Sequence, residues 1–91
     1  MSKTRVVNLY HEGYDVYIGR GSKWGNPFIV GVHGNRGDVI KKYRQWIGEN
    51  PSLLNCIRRG ELDGKVLGCY CKPKPCHGDV LVELNEGFKN E

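Results

Sequence analysis

A short stretch near the carboxyl end of the chain concentrates residues that can bind a metal or act as nucleophiles. Residues 69–79 (CYCKPKPCHGD), here named the Cys/His segment, contain Cys69, Cys71, Cys76 and His77. Thiolates and an imidazole are typical zinc ligands, so these four residues form a candidate metal site. Their spacing, C-x-C-x4-C-H, differs from the usual paired zinc knuckles. Successive side chains of a helix diverge by roughly 100°, which disfavours Cys76 and His77 as ligands of one ion.

The same segment could instead hold a reactive thiol. If a helix starts at Cys76, its N-terminus and the nearby Lys72 and Lys74 should lower the pKa of that thiol. His77 or Asp79 could transfer protons, which makes Cys76, His77 and Asp79 the candidate catalytic residues. The C-x-x-C spacing of redox motifs is absent. Two other interpretations stay open: a helix N-terminus that binds phosphate or carboxylate, and thiols that only pack the core.

A second segment, residues 19–28 (GRGSKWGNPF), is here named the glycine-rich loop. Its glycines allow the backbone to approach a ligand closely. Arg20 and Lys23 could hold a phosphate, Trp24 could stack on a base, and Asn26 could hydrogen-bond to its edge. The loop matches neither the dinucleotide-binding nor the Walker pattern. The alternative is a structural loop in which Trp24 and Phe28 fill the core.

Periodic patterns predict the elements that position these segments. Strands are expected at 4–9, 14–18 and 65–71, and helices at 37–48, 51–60 and 76–87. Asn50 followed by Pro51 predicts the start of the second helix. Residues 10–13 are short enough to join the first two strands as a hairpin. The third strand is apolar on both faces, which predicts a central position. The order β-β-α-α-β-α predicts a small α/β fold, with a three-stranded or slightly larger sheet packed by helices.

Length and charge restrict the class of protein. With 91 residues and a net charge of +4, the chain has room for a single domain, residues 1–91. A core this small is marginal, so a metal, a ligand or a partner subunit would add stability. We detect no export signal and no apolar run of membrane-spanning length. We therefore expect a cytoplasmic protein with reduced thiols and no membrane contact. The positive charge favours an anionic partner.

Two long motifs resemble one known family. Residues 14–28 (YDVYIGRGSKWGNPF) and 64–81 (GKVLGCYCKPKPCHGDVL) are similar to the family catalogued as domain of unknown function 4326. Its members are short proteins common in tailed bacteriophages, prophages and bacteria, which implies a phage-type protein acting in the host cytoplasm. Tyr70 stands where many relatives have tryptophan. The family carries no established activity, but the resemblance implies that the polar residues of both motifs form one site: Arg20, Ser22, Lys23, Trp24, Asn26, Cys69, Cys71, Cys76, His77 and Asp79.

These observations lead to two functional hypotheses. The first is a binding site for a nucleotide or another phosphate-bearing ligand, formed by the glycine-rich loop and the Cys/His segment. Whether that site also catalyses a reaction is open. The second is a binding module, stapled by zinc, that contacts nucleic acid or inhibits a host protein. In that case basic residues of the helix at 37–48 would contact phosphates, and binding would depend steeply on salt.

Overall fold

A computed structural model describes residues 3–89 of the chain. The elements follow the expected order β-β-α-α-β-α, and each boundary lies within two residues of its predicted position. The α/β class is therefore confirmed. The strands are β1 (Arg5–Asn8), β2 (Val16–Tyr17) and β3 (Val66–Cys69), and the helices are α1 (Arg36–Gly48), α2 (Pro51–Arg58) and α3 (Gly78–Lys89).

The three strands form a parallel sheet with the order β1-β3-β2. The central position of β3 is confirmed, but the hairpin predicted for residues 10–13 is wrong. The Leu9 amide donates to the Cys69 carbonyl at 3.0 Å, and the Asp15 amide donates to the Val66 carbonyl at 2.7 Å. Residues 9–15 therefore return along β3 from one end to the other, and β2 then runs in the same direction as β1.

A glycine in the central strand makes this return possible. A Cβ atom on Gly68 would lie 2.6 Å from Cγ of Tyr14, which is closer than such atoms approach in proteins. The Tyr14 ring thus covers the face of β3 on which a side chain of residue 68 would stand. The neighbouring side chains of Leu67 and Cys69 point to the opposite face, as alternation along a strand requires, and belong to the buried core there.

Apolar residues from the helices complete that core. Tyr43 and Ile47 of α1, Ile57 of α2 and Leu81 of α3 are buried against one another. Asparagine side chains fix where the first two helices begin: Asn35 caps α1 through the Asp38 amide, and Asn50 caps α2 through the Leu53 amide. The predicted Asn50–Pro51 helix start is therefore confirmed. Within residues 3–89, no helix combines the length and the apolar character that a membrane crossing requires.

The parallel sheet brings the two chemical segments to the same edge. The glycine-rich loop follows β2 directly, and the Cys/His segment begins at the last residue of β3. Because β2 and β3 are parallel neighbours, their carboxyl ends lie side by side. Open α/β sheets commonly bind ligands outside the carboxyl ends of their strands. The topology therefore places both segments where this fold class commonly binds ligands.

Candidate functional site

A pocket of about 300 Å³ lies at the carboxyl ends of β2 and β3. Its wall combines both sequence motifs with the start of α1, so the glycine-rich loop and the Cys/His segment do meet. Six of the ten residues predicted for one site line it. The lining residues are Gly19, Arg20, Asn26 and Phe28 from the glycine-rich loop, Cys69, Tyr70, Cys71, Pro75, Cys76 and His77 from the Cys/His segment, and Ile29, Val30, Arg36, Val39 and Ile40 from the chain between them.

Two arginines give the pocket a positive wall. Arg20 stands on the glycine-rich loop, and Arg36 is the first residue of α1. The Arg36 guanidinium donates to the Pro75 carbonyl at 3.2 Å, which ties α1 to the Cys/His segment. No carboxylate among residues 3–89 pairs with either arginine. Their charges are therefore available to an anion. The sequence predicted Arg20 but missed Arg36, whose only signal was a basic residue at the start of a helix.

The thiols of Cys69 and Cys76 are in direct contact at the base of the pocket. Their sulfur atoms are 3.2 Å apart, with Cys76 donating to Cys69, and the Gly78 amide donates to the Cys76 sulfur at 3.2 Å. The hydrogen bond from Cys76, helped by the amides of Cys71 and Lys72, lowers the pKa of Cys69 to about 6. Donating that proton, together with burial, raises the pKa of Cys76. The predicted lowering at Cys76 is therefore wrong: Cys69 carries the thiolate character.

His77 lines the pocket, but its imidazole is held by the protein. Its Nε2 atom lies 2.6 Å from the Ile18 carbonyl oxygen, and its ring meets Tyr43 edge to face with centroids 4.9 Å apart. Since a carbonyl oxygen only accepts, Nε2 carries the hydrogen and Nδ1 is the free acceptor. Burial is the main cause that lowers the pKa of His77. A neutral imidazole is therefore the favoured form in the folded protein.

Asp79 organises the turn before α3. One carboxylate oxygen accepts from the Cys76 amide at 3.2 Å, and the other pairs with the Lys72 ammonium at 2.9 Å. Asp79 is not among the residues that line the pocket. Both contacts hold the Cys/His segment against the start of α3, which places Cys76 beside Cys69. In this structure Asp79 therefore positions the thiols.

The four predicted metal ligands are only partly brought together. The sulfur atoms of Cys69 and Cys76 are in contact. Cys71 is half-buried and lines the same pocket. The His77 imidazole is hydrogen-bonded to the Ile18 carbonyl. Among residues 3–89, no group of three or more His, Cys, Asp or Glu side chains is arranged to hold a metal ion. The zinc site at these four residues stays a prediction from the sequence.

Three predicted ligand-binding residues of the glycine-rich loop do not line the pocket. Trp24 is 2% exposed and packs in the core, where its carbonyl accepts from the Tyr43 hydroxyl at 2.8 Å. Lys23 pairs with Glu61, and Ser22 donates to the carbonyl of Gly19 within the loop at 2.7 Å. Trp24 is thus placed for packing, as the structural interpretation of the loop predicted.

Asn26 lines the pocket but has little hydrogen-bonding capacity to spare. Its side-chain amide donates to the Val39 carbonyl at 3.2 Å, and its side-chain oxygen accepts from the Phe28 amide at 2.9 Å. These two contacts attach the glycine-rich loop to α1 and fix the turn that brings Phe28 to the pocket wall. Asn26 therefore shapes the pocket through the backbone that it holds.

Comparison with known proteins supports the predicted relationship. The family model described as domain of unknown function (DUF4326) matches residues 2–87. A relative from Enterobacteria phage T4, the uncharacterized 12.4 kDa protein in the nrdA-td intergenic region, is 38% identical over 96 aligned positions. The alignment covers 96% of this chain and 82% of the relative. No solved structure matches the chain. Because the matched range includes both motifs and the T4 relative is phage-encoded, the chain is a small phage-type protein that belongs to the DUF4326 family.

Proposed function

We propose that the pocket at the carboxyl ends of β2 and β3 binds a nucleotide or a similar phosphate-bearing small molecule. The observation that carries this proposal is the pair Arg20 and Arg36, which line one pocket without a carboxylate partner among residues 3–89. Arginine binds phosphate through paired hydrogen bonds as well as charge. A ligand that brings its own negative charge would compensate both residues.

The rest of the wall suits the uncharged part of such a ligand. Phe28, Ile40 and Tyr70 supply apolar and aromatic surface, and Tyr70 is 51% exposed beside the opening. A volume of about 300 Å³ is at the lower end of the range for small-molecule sites. Tyr70 and Phe28, rather than Trp24, are the aromatic rings that a base could contact. The ligand is therefore expected to combine a phosphate with a small planar group.

Calorimetry of the purified protein against inorganic phosphate and a panel of nucleoside mono-, di- and triphosphates tests this proposal. A charge-assisted hydrogen bond is worth about 1.5–3 kcal/mol, so Arg20→Ala and Arg36→Ala should each weaken binding by roughly 10- to 100-fold. Arg5→Ala is the matched control, because it removes the same charge from the amino end of β1, where Arg5 faces Glu12 at 3.6 Å. Arg5→Ala should bind like the natural protein.

Two results would count against the site. One is the absence of binding heat for the natural protein with every member of the panel. The other is an equal loss in Arg5→Ala and Arg20→Ala, because binding would then follow net charge rather than the pocket. A single-stranded oligonucleotide belongs in the panel, since Tyr10 and Tyr70 form an exposed aromatic pair with centroids 5.3 Å apart. Tighter binding of the oligonucleotide than of any mononucleotide would favour the nucleic-acid alternative.

A further inference from the structure

The pair Cys69 and Cys76 has a geometry that simple core packing does not require. The two sulfur atoms are 3.2 Å apart, and both residues line the pocket although they are only 1% and 2% exposed. A disulfide has a sulfur–sulfur distance of about 2.05 Å. The two sulfur atoms are therefore only about 1 Å farther apart than in a disulfide. The two thiols therefore form a preassembled dithiol in the wall of the pocket.

The surroundings of the two thiols differ, and this difference assigns their roles. The Cys69 sulfur accepts a hydrogen bond from the Cys76 thiol, with the two sulfur atoms 3.2 Å apart. The Cys76 thiol is the donor in that contact, and its sulfur accepts from the Gly78 amide at 3.2 Å. Cys69 is thus the nucleophile of the pair, and Cys76 is placed to attack whatever forms on the Cys69 sulfur.

We propose that Cys69 and Cys76 reduce a small hydroperoxide that enters the pocket and become a disulfide in doing so. The Cys69 thiolate attacks one peroxide oxygen, the O–O bond breaks, and hydroxide or alkoxide leaves and takes up a proton. Cys69 is then a sulfenic acid. The Cys76 sulfur attacks the Cys69 sulfur, the S–O bond breaks, and water leaves with the thiol proton of Cys76. In total, two thiols and one peroxide give one disulfide, one water and one alcohol, or a second water for hydrogen peroxide.

The size of the site selects the oxidant. Both sulfur atoms lie at the base of a pocket of about 300 Å³, so hydrogen peroxide or a short alkyl hydroperoxide can reach them and a protein disulfide cannot. A small dithiol such as dithiothreitol would restore the two thiols by exchange and leave as its cyclic disulfide. The other two cysteines provide internal comparisons: Cys71 is half-buried in the same pocket, and Cys56 lies on α2.

Hydrogen peroxide added to the reduced protein, without nucleotide, tests this reaction. After the remaining thiols are alkylated, the intact mass should show two alkyl groups instead of four, together with the loss of two hydrogen atoms. Cleavage after Tyr70 separates Cys69 from Cys71 and Cys76. The peptide ending at Tyr70 should be joined to Cys76, and dithiothreitol should release it. Cys56→Ser and Cys71→Ser should form the same bond.

Variants of the pair separate the two roles. Cys76→Ser should stop at the sulfenic acid on Cys69, which dimedone traps, and Cys69→Ser should give neither the trapped acid nor the disulfide. The disulfide between Cys69 and Cys76 is measured in the natural protein, so that measurement stands even if one of these variants does not fold. Failure to form the bond, a bond through Cys71, or an unchanged reaction in Cys69→Ser would overturn the inference. None of these results depends on nucleotide binding, so the two proposals fail separately.

Discussion

His77 stays neutral in the folded protein because burial of its imidazole lowers its pKa. Burial is the largest contribution, and the positive charge of Arg20 acts in the same direction. The hydrogen bond to the Ile18 carbonyl and the charge of Asp79 raise the pKa but do not cancel the effect of burial. In the unfolded chain the group titrates near pH 6.5. As the pH falls below about 6.5, the unfolded chain therefore binds a proton that the native state does not. The free energy of unfolding must therefore decrease as the pH falls through this window.

We expect the free energy of unfolding to be lower at about pH 5.5 than at about pH 7.5. Urea titrations followed by tryptophan fluorescence at the two pH values measure the difference. Each unit of pKa difference is worth about 1.4 kcal/mol. In His77→Gln, which can still donate to Ile18, the pH dependence should be smaller. An identical pH dependence in both proteins would show that another group is responsible. Glu61 and Asp63, whose pKa values are also lowered, act at more acidic pH. Cys69, whose pKa is lowered to about 6, changes stability in the same direction within this window, so the part due to His77 is the difference between the two proteins.

At the residue scale, residue type did not predict which way the side chains of the glycine-rich loop point. The glycine-rich loop was expected to present Lys23 and Trp24 to a ligand, yet Trp24 turns into the core and Lys23 pairs with Glu61. Which side of an irregular loop faces the pocket depends on contacts with α1, such as the Tyr43 hydroxyl bonded to the Trp24 carbonyl. Those contacts join residues distant in sequence, so no local pattern contains them.

Helices and strands were more predictable than side-chain directions, because the signals for a helix or strand lie in neighbouring residues. Asn50 and Pro51 predicted the start of α2, and apolar periodicity predicted the other elements, so every boundary was within two residues. The predicted hairpin between β1 and β2 was wrong, because both strands pair with β3 in parallel. A short connection favours a hairpin, but the actual return path depends on the space over Gly68. That space is a property of a partner strand more than fifty positions away.

Gly68→Ala tests whether that space is required. The added methyl group would meet the Tyr14 ring at 2.6 Å, so the return connection or β3 must move. Overpacking of this kind costs about 1–3 kcal/mol, and we expect a loss of that size in chemical denaturation. Gly13→Ala is the matched control in the same connection, because its new Cβ would meet no atom within 4 Å. If both variants lost equal stability, backbone freedom rather than the close approach would be the cause.

Across the whole molecule, one buried polar network joins the two ends of the described chain. The Thr4 hydroxyl donates to the Leu62 carbonyl at 2.8 Å and accepts from the Gly64 amide at 3.0 Å. The Asn85 side chain donates to the same hydroxyl at 3.1 Å and to the Asp63 carboxylate at 3.2 Å. The network thus connects the chain before β1, the turn before β3 and helix α3. Sequence reasoning missed Thr4 and Asn85, because apolar periodicity does not detect a polar residue that is buried with its partner.

Thr4→Val removes the hydroxyl while keeping the shape of the side chain, so it measures what this network contributes. Each buried donor or acceptor left unpaired costs about 1–3 kcal/mol, and we expect an overall loss of about 2–4 kcal/mol in urea titrations. Thr4→Ser keeps the hydroxyl and should lose about 1 kcal/mol or less. Asn85→Ala should lower the free energy of unfolding less in the Thr4→Val background than in the natural protein, because residues of one hydrogen-bond network are energetically coupled. Equal stability of the Val and Ser variants, or strict additivity, would mean that packing rather than hydrogen bonding holds the two ends together.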